Sequence, residues 1–218
     1  MEMNRKNYIK TAILFCIFVV YTLVVKFVAV GPGTEGTDLG LCTFNQSIAK
    51  VVPFNNTWYQ ITEYLGYAAL GVCAGFAFFG LFQLIKGKSL KAVDKEIWVL
   101  AGFYVVVIAF YALFEVIVIN YRPVILDEGL EASYPSSHTV LAACVFISAF
   151  ILFEKYLVKN KVVKGLAQAV CIVAAVFTVC GRFISGVHWA TDIIGGMILS
   201  AALLMGFWTA LNYNFKKK

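Results

Sequence analysis

Apolar and polar positions alternate in this chain on the scale of whole helices rather than single residues. Long apolar runs occupy Thr11–Val30, Gln60–Ile85, Ile97–Ile119, Thr139–Leu157, Gly165–Cys180 and Ile193–Leu211, with short polar segments between them. A bilayer core about 30 Å thick takes about 20 apolar residues of helix. The runs therefore predict an all-α, polytopic bundle of six transmembrane helices in a single domain over residues 1–218. The first run follows Arg5, Lys6 and Lys10 but is longer than a signal-peptide core, and Gly31-Pro32-Gly33 reads as a helix exit, so it is taken as a span. The fifth run has only 16 residues, roughly 24 Å of helix, which places the polar segment after it near headgroup level. Between the first two runs, Asn45–Phe54 reads as a short helix lying on the membrane surface.

Charge fixes the expected orientation. Fourteen of the 18 basic residues lie in segments that six spans would bring to one side: Arg5, Lys6 and Lys10, then Lys86 to Lys95, Lys155 to Lys164, and Lys216 to Lys218. The positive-inside rule puts that side, with both termini, in the cytoplasm. The segments Gly31–Tyr59, Asn120–Pro135 and Gly181–Trp189 then face outward. A net charge of +6 thus reflects topology and not a nucleic-acid partner. Composition agrees, at 61% hydrophobic and 14% charged residues. The six cysteines show no CxxC spacing and read as small apolar packing residues, with neither a disulfide framework nor a metal site expected. Asp127, Glu128 and Glu131 read as a solvated face.

The candidate chemistry sits in the outward segments. The chain has two histidines, and both interrupt apolar sequence: His138 closes Pro135-Ser136-Ser137-His138, and His188 lies within Arg182-Phe183-Ile184-Ser185-Gly186-Val187-His188-Trp189-Ala190-Thr191-Asp192. Scarce titratable groups gathered near hydrocarbon mark a functional site. His188 and Asp192 are four residues apart at the start of the sixth helix, so a carboxylate can fix the imidazole tautomer and leave one nitrogen free. Ser136 suits the N-cap of the fourth helix, leaving the N–H groups of Ser137 and His138 free for an anion. Arg122 and Arg182 add planar forks suited to phosphoryl oxygens.

The order Arg-Pro, then Pro-Ser-x-His, then Arg-x5-His-x3-Asp resembles the type 2 phosphatidic acid phosphatase (PAP2) superfamily, membrane lipid phosphatases related to bacterial acid phosphatases and vanadium haloperoxidases. The resemblance implies that His188 attacks phosphorus and becomes a phosphohistidine, oriented by Asp192. It implies that His138 protonates the leaving oxygen and then activates water, while Arg122, Arg182, Ser136 and Ser137 bind phosphoryl oxygens. It implies neither metal nor cofactor. The expected substrate is a membrane lipid phosphate or pyrophosphate of the polyprenyl pyrophosphate, phosphatidylglycerol phosphate or phosphatidic acid class, cleaved at the extracytoplasmic face. Phosphoryl transfer to an alcohol, or lipid binding or transport without catalysis, are the alternatives on the same scaffold.

Three positions depart from the family pattern. Ser137 stands for the usual glycine and Gly181 for the usual serine. Glu115 stands for the usual lysine seven residues before Arg122. Glu115 has three readings: pairing with an arginine, recognition of an amine or hydroxyl on the substrate, or loss of activity.

Overall fold

The computed structural model describes residues 2–126 and 129–213, so Asp127, Glu128 and Lys216 to Lys218 lie outside the described residues. Within them the chain forms seven α-helices: α1 (Glu2–Phe27), α2 (Cys42–Val51), α3 (Asn56–Gly87), α4 (Lys95–Val116), α5 (Ser137–Tyr156), α6 (Lys161–Ile184) and α7 (Ala190–Leu211). Six of these, all but α2, are long and apolar enough to cross a membrane. The protein is an all-α integral membrane bundle. Among the described residues the one strand pair is two residues long, Gly31–Pro32 against Asp38–Leu39.

Local chemistry sets the helix ends. Asn55 caps α3 by accepting the Trp58 N–H at 3.1 Å, and Asn160 caps α6 by accepting the Val163 N–H at 3.0 Å. Ser136 caps α5 through the Thr139 N–H, as its sequence setting predicts. The surface helix forms three residues earlier than expected, as α2. Its Asn45 is fully buried and binds Thr191 at the start of α7. The fifth span is a correction: α6 has 24 residues, not 16, or about 36 Å. It continues past Cys180 because Arg182 in its last turn is fully buried and paired.

Helices α5 and α7 form the centre, each with half of its apolar window buried, against 11–22% for the other four spans. The outer helices turn their remaining apolar surface outward, the arrangement hydrocarbon surroundings favour. α7 packs between α1 and α5, and α5 also carries α3 and α6, while α3 and α4 barely touch. The lysine inside the first span, Lys26, caps the chain leaving α4 by donating to the carbonyls of Val118 and Ile119 at 3.2 and 3.1 Å. The basic segments gather at one end of the bundle, where Lys155 pairs with Glu96 at 2.6 Å and Tyr156 binds Asp94. All six cysteines are unpaired.

Candidate active site

At the opposite end, four segments converge: the Asn120–Ser136 loop, the start of α5, the α6–α7 turn and the first turns of α3. His188 lies in the turn before α7 rather than on the helix, with Trp189 as N-cap and Asp192 in the first turn. Asp192 is fully buried and accepts the Trp189 N–H at 3.0 Å, the Asn120 side-chain amide at 3.0 Å and the Ser133 hydroxyl at 2.5 Å. The carboxylate stands 3.8 Å from His188 Nδ1, too far for a hydrogen bond. Ser133 fills the gap, its Oγ 3.0 Å from Nδ1. The direct His–Asp contact expected from their spacing is thus replaced by a His188–Ser133–Asp192 chain.

This chain fixes the tautomer. Ser133 has one hydroxyl proton and donates it to Asp192, so its oxygen must accept from His188 and Nδ1 carries the ring hydrogen. Nε2 then holds a lone pair, and it is buried with no partner within the protein. Burial, and after it the positive charges of Arg182 and Arg122, hold the His188 pKa well below the usual histidine value. The ring is neutral at neutral pH.

His138 occupies a different setting. Arg182 Nη2 donates to its Nδ1 at 3.0 Å, and Glu63 Oε2 lies 3.3 Å from its Nε2. Arg182 is held on its other edge by Glu63 and Thr62, each 3.0 Å from Nη1, and its guanidinium lies 5.1 Å from the Tyr59 ring centroid. Arg122 binds Glu131 at 2.9 Å, so Glu131 is an ion-pair partner and not a solvated face. The Nε atoms of both arginines are buried without partners, as is His188 Nε2. The two arginine nitrogens are donors suited to an anion's oxygens, whereas His188 Nε2 offers a lone pair.

A cavity of about 420 Å³ is lined by both histidines, Glu63 and Ser133, with Arg122 and Arg182 outside its lining. Its polar end has Glu63, Glu115, Ser133, Ser137, His138 and His188; its apolar end runs between α3 and α4 past Leu70, Val107 and Ile108. Ser137 thus lines the cavity, whereas Ser136 is fully buried and serves as the α5 cap. Glu115 is exposed at the cavity wall, and among the described residues Arg122 and Arg182 pair with Glu131 and Glu63 instead. Pairing with an arginine is therefore not its role in this structure. Among the described residues, no three His, Cys, Asp or Glu side chains are grouped to hold a metal ion.

Two glycines matter by close approach. A Cβ at Gly66 would lie 3.0 Å from the His138 ring, so any larger residue there would press on the ring. A Cβ at Gly181 would meet the Thr62 methyl at 2.7 Å. Thr62 fills the space beside Gly181, and its hydroxyl accepts from Arg182.

Sequence motifs reveal neither Ser133 nor the α3 residues Tyr59, Thr62 and Glu63. Only Glu63 leaves a trace, as a lone carboxylate within an apolar run.

Comparison with known proteins agrees with this picture. None of the curated proteins matches the chain. The chain is similar in fold to a crystal structure of a transmembrane PAP2-type phosphatidylglycerolphosphate phosphatase from Bacillus subtilis, with a TM-score of 0.60 and 20% identity, covering 95% of this chain and 99% of that one. Residues 116–216 match the family model of the PAP2 superfamily. That stretch carries Arg122, Arg182, both histidines and Asp192.

Proposed function

We propose that this protein is a membrane phosphatase that removes phosphate from a lipid phosphate or pyrophosphate through a phosphohistidine on His188. The observation that carries this reading is the unprotonated, unpartnered Nε2 of a buried imidazole on the wall of a cavity with one polar and one apolar end. A nucleophile needs that lone pair. A lipid needs both ends of the cavity: the phosphoryl group at the histidines, the chain between α3 and α4.

In the first half-reaction the His188 Nε2–P bond forms as the bond from phosphorus to the leaving oxygen breaks. His138, lining the same cavity, delivers the proton that oxygen requires. In the second, water attacks phosphorus, the N–P bond breaks, and His138 takes one water proton. Arg122 and Arg182 offset charge on the phosphoryl oxygens, the dominant contribution in this chemistry. Asp192 acts through Ser133 to hold the ring of His188, and the Ser137 side of α5 faces the phosphoryl group. Glu115, on the cavity wall, reads a hydrogen-bond donor or amine on the substrate. In this reading the chemistry needs no metal and the site faces the extracytoplasmic side, an orientation that the charge pattern supports.

The similar fold belongs to a phosphatidylglycerolphosphate phosphatase, which puts phosphatidylglycerol phosphate first in a panel with phosphatidic acid and polyprenyl pyrophosphate. Purified protein should release phosphate from at least one of these with EDTA present, vanadate should inhibit, and His188→Ala should release none. Absolute dependence on a divalent metal, or equal release by His188→Ala, would overturn the reading.

A further inference from the structure

Nothing in the motif pattern reaches α3, yet α3 contributes a carboxylate to the centre of the site. Glu63 touches both Arg182, at 3.0 Å from Nη1, and His138, at 3.3 Å from Nε2. Arg182 in turn lies 3.0 Å from the other ring nitrogen of His138. An arginine side chain only donates, so Nδ1 accepts and the single ring proton of resting His138 sits on Nε2, toward Glu63.

That arrangement creates a difficulty for an acid. To give a proton to a leaving oxygen, His138 must first hold two, becoming a cation against the permanent cation of Arg182, with Arg122 also near. Two like charges at that distance in a buried site disfavour each other strongly. The group facing both from the remaining side is Glu63. Its two oxygens divide between the guanidinium and the imidazole, so one negative charge offsets both. Gly66, one turn along α3, leaves the ring room to lie against this helix.

We infer that Glu63 is a positioning residue that supplies the counter-charge allowing His138 to carry and deliver the leaving-group proton beside Arg182. This rests on the phosphatase reading above. The step balances: protonation of His138 at Nδ1 releases the Arg182 hydrogen bond there, the Nε2 proton passes to the leaving oxygen as phosphorus moves to His188, and Nε2 regains a proton from the water that frees the phosphate. Glu63 is neither consumed nor bonded to substrate.

The test separates proton delivery from mere support. An alkyl phosphate needs its leaving oxygen protonated; p-nitrophenyl phosphate, with a good leaving group, needs this far less. Full-length protein in detergent would be assayed with dodecyl phosphate and p-nitrophenyl phosphate, as wild type, Glu63→Gln and Glu63→Asp. Glu63→Gln should lower kcat on the alkyl ester about tenfold or more, with kcat on the aryl ester changing less than about threefold. KM should move little on either, and Glu63→Asp should recover part of the alkyl activity. An equal fall on both esters would make Glu63 a structural prop, and an unchanged alkyl rate, or a Glu63→Asp no better than Glu63→Gln, would equally overturn the inference. Wild type active on both with His188→Ala inactive keeps the phosphatase reading whatever Glu63 does; a wild type releasing no phosphate would overturn both.

Discussion

The two histidines divide the site into unlike halves. His188 is walled in, 6% exposed, with one nitrogen tied to Ser133 and the other free. His138 faces the cavity with its side chain 20% exposed and both nitrogens engaged, one by Arg182 and one near Glu63. Identical side chains thus receive different work from their surroundings. A ring with a single open lone pair and no proton on it is set to attack; a ring between a cation and a carboxylate is set to pass a proton. Each half has its own carboxylate, and neither carboxylate reaches the other's histidine.

The largest expected effect tests that division directly. His188→Ala should lower phosphate release by about 10⁴-fold or more on every ester, since no other group offers a nucleophilic nitrogen. Incubation with a ³²P-labelled substrate and rapid quench should label the wild type at an acid-labile site and leave the variant unlabelled.

Next comes Ser133. Ser133→Ala removes the link between Nδ1 and Asp192 and should cost about 10- to 100-fold in kcat on alkyl and aryl esters alike. The matching loss on both distinguishes the attacking half from the proton-carrying half; a loss confined to the alkyl ester would merge them.

A smaller effect follows from charge. Burial, and after it the positive neighbours, keep His188 neutral, so its protonation, and the acid-side fall in activity it causes, should lie well below pH 6.5. Arg122→Gln removes one of those charges. The pKa should then rise toward the ordinary value and the fall should begin at higher pH, seen in kcat/KM against pH. A shift to lower pH would contradict the electrostatics.

Least disruptive should be Glu115→Lys, which alters the cavity wall and neither half. KM for a simple phosphate should fall by a few-fold with little change in kcat, while any substrate bound through an amine should lose affinity.

The segments that carry the site were legible because their chemistry is local. His138 follows its own helix cap, and Arg182, His188 and Asp192 are bound by one tight turn, so spacing carries geometry. Helix existence was legible for the same reason: apolar runs of span length have few other uses. What lay hidden depends on contacts between distant segments. Ser133 acquires meaning only when the loop folds against α7, and Glu63 only when α3 meets α6 and α5. The α6 boundary was misplaced because a buried arginine reads as a break until its partners are known.

The close fit of Gly181 against Thr62 has a wider consequence. Where two helices meet this tightly, a side chain on one leaves no room for a side chain on the other, and the hydroxyl that holds Arg182 comes from the facing helix. Serine at 181 should therefore be harmful alone and tolerated with alanine at 62, a reciprocal pair visible in thermal unfolding of the single and double variants.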